Sequence, residues 1–192
     1  MLTIINYNAG NVQSVLFAME RLGVEATLTD NLEVIRASDK VIFPGVGEAS
    51  TTMQNLRAKG LDKLIPDLKQ PVLGICLGMQ LLCDYSEEND TQCLGVFPQK
   101  VVKFEPKLKV PHVGWNSIYG LQNPLFKPEL ESEYVYFVHS YYVEKGEYTI
   151  AECDYITPFS AAIRKDNFFA TQFHPEKSGK VGEEVLKGFL EV

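Results

Sequence analysis

One stretch, Val72-Leu73-Gly74-Ile75-Cys76-Leu77-Gly78-Met79-Gln80-Leu81-Leu82, restricts the possible folds more than any other part of the chain. Its opening residues are apolar or glycine and read as a buried strand, and the apolar run beyond Cys76 reads as a helix. Gly74 and Gly78 flank the cysteine as Gly-x-Cys-x-Gly, the thiol counterpart of a nucleophile elbow, in which a sharp strand-to-helix turn lifts a nucleophile onto the top of a parallel sheet. Glycine suits such a turn because neighbouring backbone passes close. A thiol there sits at the N-terminus of the next helix, where free N–H groups and the positive dipole end favour thiolate. The same N–H groups can face a developing oxyanion. The pentapeptide alone also admits a plainer reading, in which Cys76 is a small buried hydrophobe.

The chain before this stretch repeats the strand-to-helix order. Residues 2–7 read as a strand, Asn8-Ala9-Gly10-Asn11 as turn chemistry, and residues 12–22 as a helix ending at Gly23. Residues 24–28 suggest a second strand and 32–36 a short helix, and Lys40-Val41-Ile42-Phe43 a third strand running into Pro44-Gly45-Val46-Gly47. Helices are expected over 50–59 and 61–68, the second broken by Pro66. From Leu94 the texture changes to short β-like runs (101–104, 115–118, 134–138, 148–152, 161–164 and 168–173), mixed or antiparallel, before a last helix over 181–190. The expected class is α/β, with a mixed, largely parallel central sheet and flanking helices. The functional site of such a sheet lies at the carboxyl ends of its strands, where both Pro44-Gly45-Val46-Gly47 and Cys76 fall. Cys83 is expected on the same helix face as Cys76, as core, and residues 86–92 and 127–133 as exposed acidic connections.

With 192 residues, 45% of them hydrophobic, the chain can bury a sizeable core in one domain, expected to span 1–192. Its formal charge of -7, from 18 Lys plus Arg against 25 Asp plus Glu, argues against nucleic acid or an anionic membrane as the main partner. No apolar run approaches a membrane span and the N-terminus carries no leader, so a cytoplasmic protein is expected. The cysteines (Cys76, Cys83, Cys93, Cys153) show neither Cys-x-x-Cys spacing nor nearby histidines. Zinc and a disulfide framework are therefore not expected, nor is a metal or cofactor of any other kind.

A nucleophilic thiol needs a base, and that base needs a group to orient its ring. The histidines are His112, His139 and His174. His174 follows the apolar run Phe168-Phe169-Ala170-Thr171-Gln172-Phe173 and opens His174-Pro175-Glu176, in which the proline stiffens the turn between base and carboxylate. A structural histidine and a Glu176 that merely caps the next helix are the alternatives for this pair alone. Together with an elbow cysteine upstream, catalysis becomes the stronger reading.

Gly74-Ile75-Cys76-Leu77-Gly78-Met79-Gln80, followed by Gln172-Phe173-His174-Pro175-Glu176-Lys177-Ser178, resembles the class I glutamine amidotransferase family, from the first strand to the last helix. Four further stretches resemble the branch that serves a cyclase in histidine biosynthesis: Tyr7-Asn8-Ala9-Gly10-Asn11, Pro44-Gly45-Val46-Gly47, Pro111-His112-Val113-Gly114-Trp115-Asn116 and Tyr136-Phe137-Val138-His139-Ser140-Tyr141. The resemblance implies hydrolysis of L-glutamine to glutamate and ammonia. Cys76 would attack the amide, His174 would protonate the departing ammonia and then activate water, and Glu176 would orient His174. Backbone N–H groups of Leu77 and Val46 would form the oxyanion hole, the second turned away until a partner is engaged. Gly45, Gly47, Gln80, Glu88 and the backbone of His139, Ser140 and Tyr141 would hold glutamine. The implied partner is a separate (β/α)8-barrel cyclase subunit, forming a heterodimer and receiving ammonia through its barrel. Asn11, Pro111, His112, Trp115, Tyr136 and Lys177 match positions facing that interface.

For Trp115 a contact anchor and a core tryptophan both remain open, and His112 and His139 are also compatible with structural roles. Because the chain ends soon after the last helix, no fused cyclase or synthetase is expected. The rivals are another class I glutaminase, a cysteine peptidase or hydrolase on the same scaffold, and a silent binding subunit.

Overall fold

The computed structural model describes residues 1–7 and 12–192. Asn8, Ala9, Gly10 and Asn11, and with them the interface role expected of Asn11, lie outside the described residues.

Strand β1 (Leu2–Ile5) is buried throughout, and helix α1 (Val12–Arg21) lays Val15, Ala18 and Met19 on the core at helical spacing. They are followed by β2 (Ala26–Thr29), α2 (Leu32–Arg36) and β3 (Lys40–Phe43). Asn31 caps α2, its Oδ1 accepting the Glu33 and Val34 N–H groups at 2.9 and 3.2 Å. Next come α3 (Ala49–Ala58), α4 (Leu61–Asp67), β4 (Val72–Ile75) and α5 (Leu77–Leu82). Pro66 lies in the last turn of α4 and does not end it. The second half holds β5 (Cys83–Ser86), β6 (Thr91–Gln92), β7 (Phe97–Lys103), β8 (His112–Ser117), β9 (Tyr134–His139) and β10 (Tyr141–Val143). It closes with β11 (Thr149–Tyr155), β12 (Thr157–Lys165), β13 (Phe168–Thr171) and α6 (Gly179–Glu191).

Seven strands form the central sheet in the order β11-β12-β13-β4-β3-β1-β2. The pairs from β2 to β13 are parallel and the β11-β12-β13 flank is antiparallel, so the sheet is mixed and largely parallel as the class requires. Alternation along the strands fills both faces: Ile4, Ile42 and Leu73 join one core, and Val41, Phe43 and Val72 the other. A second sheet, β10-β7-β5-β6, and an antiparallel ribbon of β8 and β9 sit beside the carboxyl ends of the parallel strands.

Two further expectations are corrected. Cys83 is buried but not helical: α5 stops at Leu82, and Cys83 opens β5, paired in parallel with Phe97 of β7. Residues 86–92 are not simply exposed, because Ser86 and Thr91 are buried and β6 pairs back on β5. The apolar run carries helical spacing past the point where strand pairing takes over.

Backbone contact explains the glycines of the elbow. A Cβ on Gly78 would lie 2.1 Å from the Phe43 carbonyl oxygen, and one on Gly45 would lie 2.4 Å from the Gly78 nitrogen. The elbow, the end of β3 and the segment after it therefore pack at distances that only glycine permits.

Candidate active site

Cys76 stands at the joint of β4 and α5 with φ 53° and ψ -108°, a backbone conformation that strains a residue with a side chain. Its N–H donates to the Thr171 carbonyl at 2.8 Å, which ties the elbow to the end of β13. Because β13 is the parallel neighbour of β4, the chain leaving it passes beside the thiol. His174 lies on that chain, and its N–H donates to the Tyr136 carbonyl of β9 at 2.9 Å. Ser178 Oγ donates to the His174 carbonyl at 2.6 Å and accepts the Tyr136 N–H at 3.0 Å. The ribbon thus braces the histidine's backbone from outside.

In the 3-10 turn Pro175–Lys177, Glu176 turns back, and its Oε1 lies 2.8 Å from His174 Nδ1. Both side chains are buried, the ring faces the same cavity as Cys76, and the thiol itself donates to the Val138 carbonyl at 3.7 Å. Burial opposes charge on His174, but the hydrogen bonds and negative charges of Cys76 and Glu176 outweigh it, and its pKa is pushed up to about 10. The arrangement favours an imidazolium at His174, with Glu176 fixing the ring. Tyr7, at the end of β1, is buried nearby and its hydroxyl donates to the Pro44 carbonyl. Burial, and then the charge of Cys76, pushes the Tyr7 pKa up, so it remains a neutral donor anchoring the segment after β3.

That segment does not present a completed oxyanion hole. The Leu77 N–H points at the Gly45 carbonyl oxygen, 3.4 Å away, so the donor expected to meet an oxyanion faces an acceptor of its own chain. The carbonyl belongs to the Gly45–Val46 peptide, and turning that peptide over would remove the acceptor and bring in the Val46 N–H.

Cys76 and His174 open into a cavity of about 350 Å³, whose walls include Val46, Gly47, Leu77, Gln80, Glu88, His139, Ser140 and Tyr141. Gly45 lies behind it against the elbow. Half-buried Glu88 accepts the Ala49 N–H at 2.8 Å, and burial raises its pKa. Gln80 is less available than its sequence position suggests. Its Nε2 donates to the Tyr141 carbonyl at 2.9 Å and to Gln172 Oε1 at 3.0 Å, leaving Oε1 as the atom free to meet a ligand. Pro111 and Lys177 stand at the cavity mouth, and both are exposed.

The ribbon sorts the remaining residues. Trp115 is 55% exposed and pairs in register with Tyr136, their rings meeting edge to face at 6.0 Å, which removes the core reading of this tryptophan. His112 is a correction: alternation along β8 turns it inward, where it is 4% exposed and stacks between Phe137 and Tyr155. It sits behind the expected interface rather than on it. Sequence reasoning assigned no role to Tyr7 or Gln172, although both fall within stretches that carry the family resemblance. Their bonds join residues far apart along the chain.

Residues 3–192 match the family model for glutamine amidotransferase class I. The chain belongs to the class I glutamine amidotransferase family. Among curated amidotransferases, it is 60% identical to the imidazole glycerol phosphate synthase subunit HisH of Bacteroides fragilis, with 98% of each chain covered. It is 50% identical to the HisH subunit of Pasteurella multocida, covering 99% of this chain and 97% of that one. A crystal structure of a glutamine amidotransferase shares the fold at 20% identity with a TM-score of 0.77, covering 98% of this chain and 97% of that one.

Proposed function

We propose that this chain is the glutaminase subunit of an imidazole glycerol phosphate synthase, hydrolysing L-glutamine and delivering the ammonia to a cyclase subunit in histidine biosynthesis. The observation that carries the reading is the buried line from Cys76 through His174 to Glu176 at the floor of a cavity roofed by an exposed apolar ribbon. The full-length identity to HisH subunits supports the choice of this branch within the family.

The Cys76 thiolate attacks the side-chain amide carbon of glutamine, forming a C–S bond and a tetrahedral oxyanion. His174 gives its proton to the nitrogen, the C–N bond breaks, and ammonia leaves a thioester on Cys76. His174, now neutral, takes a proton from water as the oxygen attacks the thioester; the C–S bond breaks and glutamate departs. Leu77 and Val46 N–H groups hold the oxyanion in both halves once the Gly45–Val46 peptide has turned. Gln80 Oε1 and the Glu88 carboxylate suit the substrate's α-ammonium, with the 139–141 backbone closing the pocket.

The single glutaminase unit spans 1–192 and works in the cytoplasm; among the described residues no helix is long and apolar enough to cross a membrane. Its partner is a (β/α)8-barrel cyclase that docks over Pro111, Trp115, Tyr136 and Lys177, with Asn11 belonging to the same surface. Ammonia passes into the barrel without being protonated by bulk water. In the reconstituted complex, Cys76→Ala abolishes glutamine-dependent synthesis, while added ammonia still supports the cyclase and co-elution shows intact docking. Normal glutamine use by that variant would remove Cys76 as nucleophile.

A further inference from the structure

We propose that Gln172 is a positioning residue for the Cys76 sulfur, its amide held in one orientation by a hydrogen-bond chain that continues to the β8–β9 ribbon. The inference rests on Cys76 being the nucleophile. Gln172 follows β13 directly, is fully buried, and lies with Nε2 3.8 Å from Cys76 Sγ.

The direction of every link follows from one atom. The Tyr141 carbonyl oxygen can only accept, and it is 2.9 Å from Gln80 Nε2 and 2.8 Å from His139 Nδ1. Gln80 must therefore turn its NH2 group inward, and the second hydrogen of that group meets Gln172 Oε1 at 3.0 Å. Gln172 is then obliged to turn its own NH2 group toward the sulfur. Flipping it would set its oxygen against Cys76 and its NH2 against the NH2 of Gln80.

On the other side, neutral His139 carries its proton on Nδ1, so its Nε2 accepts from His112 Nδ1 at 3.0 Å. His112 Nε2 in turn accepts from Asn116 Nδ2 at 3.4 Å, and Asn116 Nδ2 also donates to the Asp154 carbonyl at 2.9 Å. The chain begins at the nucleophile and ends on the strand whose outward face carries Trp115.

A donor aimed at sulfur favours thiolate over thiol. It also gives the sulfur a second fixed contact beside the Val138 carbonyl, to which the thiol donates at 3.7 Å. The titratable groups around Cys76 are His174, backed by Glu176, and Tyr7 from the end of β1. Glu88 and Lys177 line the same cavity, and His139 stands behind it. Substitution of Gln172 leaves all of these in place.

The test is the pH dependence of Cys76 alkylation by iodoacetamide, followed on the Cys76 peptide by mass spectrometry, in the complex with the cyclase. Two variants are compared with the parent: Gln172→Met, which keeps the length but has no donor, and Gln172→Glu, which keeps the shape and accepts where the amide donated. The alkylation midpoint moves up by about half a pH unit or more in the methionine variant, because the thiolate loses a donor, and further in the glutamate variant, where a carboxylate also faces the sulfur. In the glutamate variant, which keeps an acceptor for Gln80 Nε2, glutamine turnover falls mainly in kcat with KM little changed, whereas the methionine variant also raises KM because Gln80 loses that partner. An unchanged midpoint in a folded, docked variant of either kind would overturn the proposal and leave Gln172 a buried amide that only packs. Should the methionine variant not fold, Gln172→Ala, which also removes the donor and adds no charge, carries the test, because a glutamate at this position would raise the midpoint by repulsion alone. Alkylation of Cys76 that leaves glutamine hydrolysis intact would instead sink the nucleophile reading, a result distinct from the midpoint shift.

Discussion

His112 and His139 are held neutral while His174, of the same residue type, is held charged, and the difference lies in their partners. Among the described residues no carboxylate bonds either of the first two: they bond each other, the Tyr141 carbonyl and the Asn116 amide. Burial pushes His112 down to about 4 and His139 down to about 3. A histidine with a depressed folded pKa binds fewer protons folded than unfolded, so its contribution is present above the unfolded value near 6.5 and is lost as pH falls toward the folded one. Between about pH 6.5 and 4, each such group steepens the loss of stability by up to about 1.4 kcal/mol per pH unit. His112→Phe preserves stacking on Phe137 and Tyr155 but strands the His139 acceptor, costing about 1–3 kcal/mol at pH 7. Urea unfolding from pH 8 to 4 should show that loss together with a shallower acid slope. An acid slope as steep as the parent's would mean that His112 titrates normally in the fold. The nearness of Cys76, His174 and Glu176 was legible in two short motifs. The neutral pair was not, because a histidine's partners come from pairing across β8 and β9 that no local pattern encodes.

At the scale of elements, the ribbon has two different faces. His112, Val135, Phe137 and His139 point into the core, while Val113, Trp115, Tyr134 and Val138 point outward at 52, 55, 57 and 37% exposure. An apolar outer face on two paired strands beside the cavity mouth suits a partner better than solvent. Trp115 is the chain's only tryptophan, so it reports on its own burial. Docking of the cyclase should shift its emission to the blue, and Trp115→Ala should weaken the complex by about 2 kcal/mol or more, roughly 30-fold in Kd, with the thermal midpoint of the free chain unchanged. Unchanged emission on proven docking would place the tryptophan off the interface. The parallel unit was readable because its strands are short apolar runs alternating with capped helices. Strands β5, β6 and β10 were not, since each is short and polar in part and exists only through pairing with β7 or β5.

At the scale of the whole molecule, the exposed face of the β8–β9 ribbon lies beside the Cys76 cavity, and the segment after β3 lines that cavity. In the chain alone, the Gly45 carbonyl stands where an oxyanion donor is needed, and Leu77 gives its N–H to it across 3.4 Å. That bond is long and correspondingly weak, so little holds the peptide in place apart from packing. Tyr7 pins Pro44 at one end, and Gly47, with φ 118°, supplies a conformation open to glycine at the other. Between these anchors, a turn of the Gly45–Val46 peptide would exchange the carbonyl for the Val46 N–H against Leu77 and Gly78. Losing one oxyanion donor costs about 10²–10³ in kcat, and an opposed carbonyl costs at least as much. Glutamate release by the free chain should therefore run at least about 100-fold below release by its complex with the cyclase. Measured side by side, near-silence alone with strong release in the mixture is the expected outcome, and the deficit should lie in kcat. Equal release in both would mean that the free chain reaches the turned peptide unaided, and the Gly45 carbonyl would then be no gate.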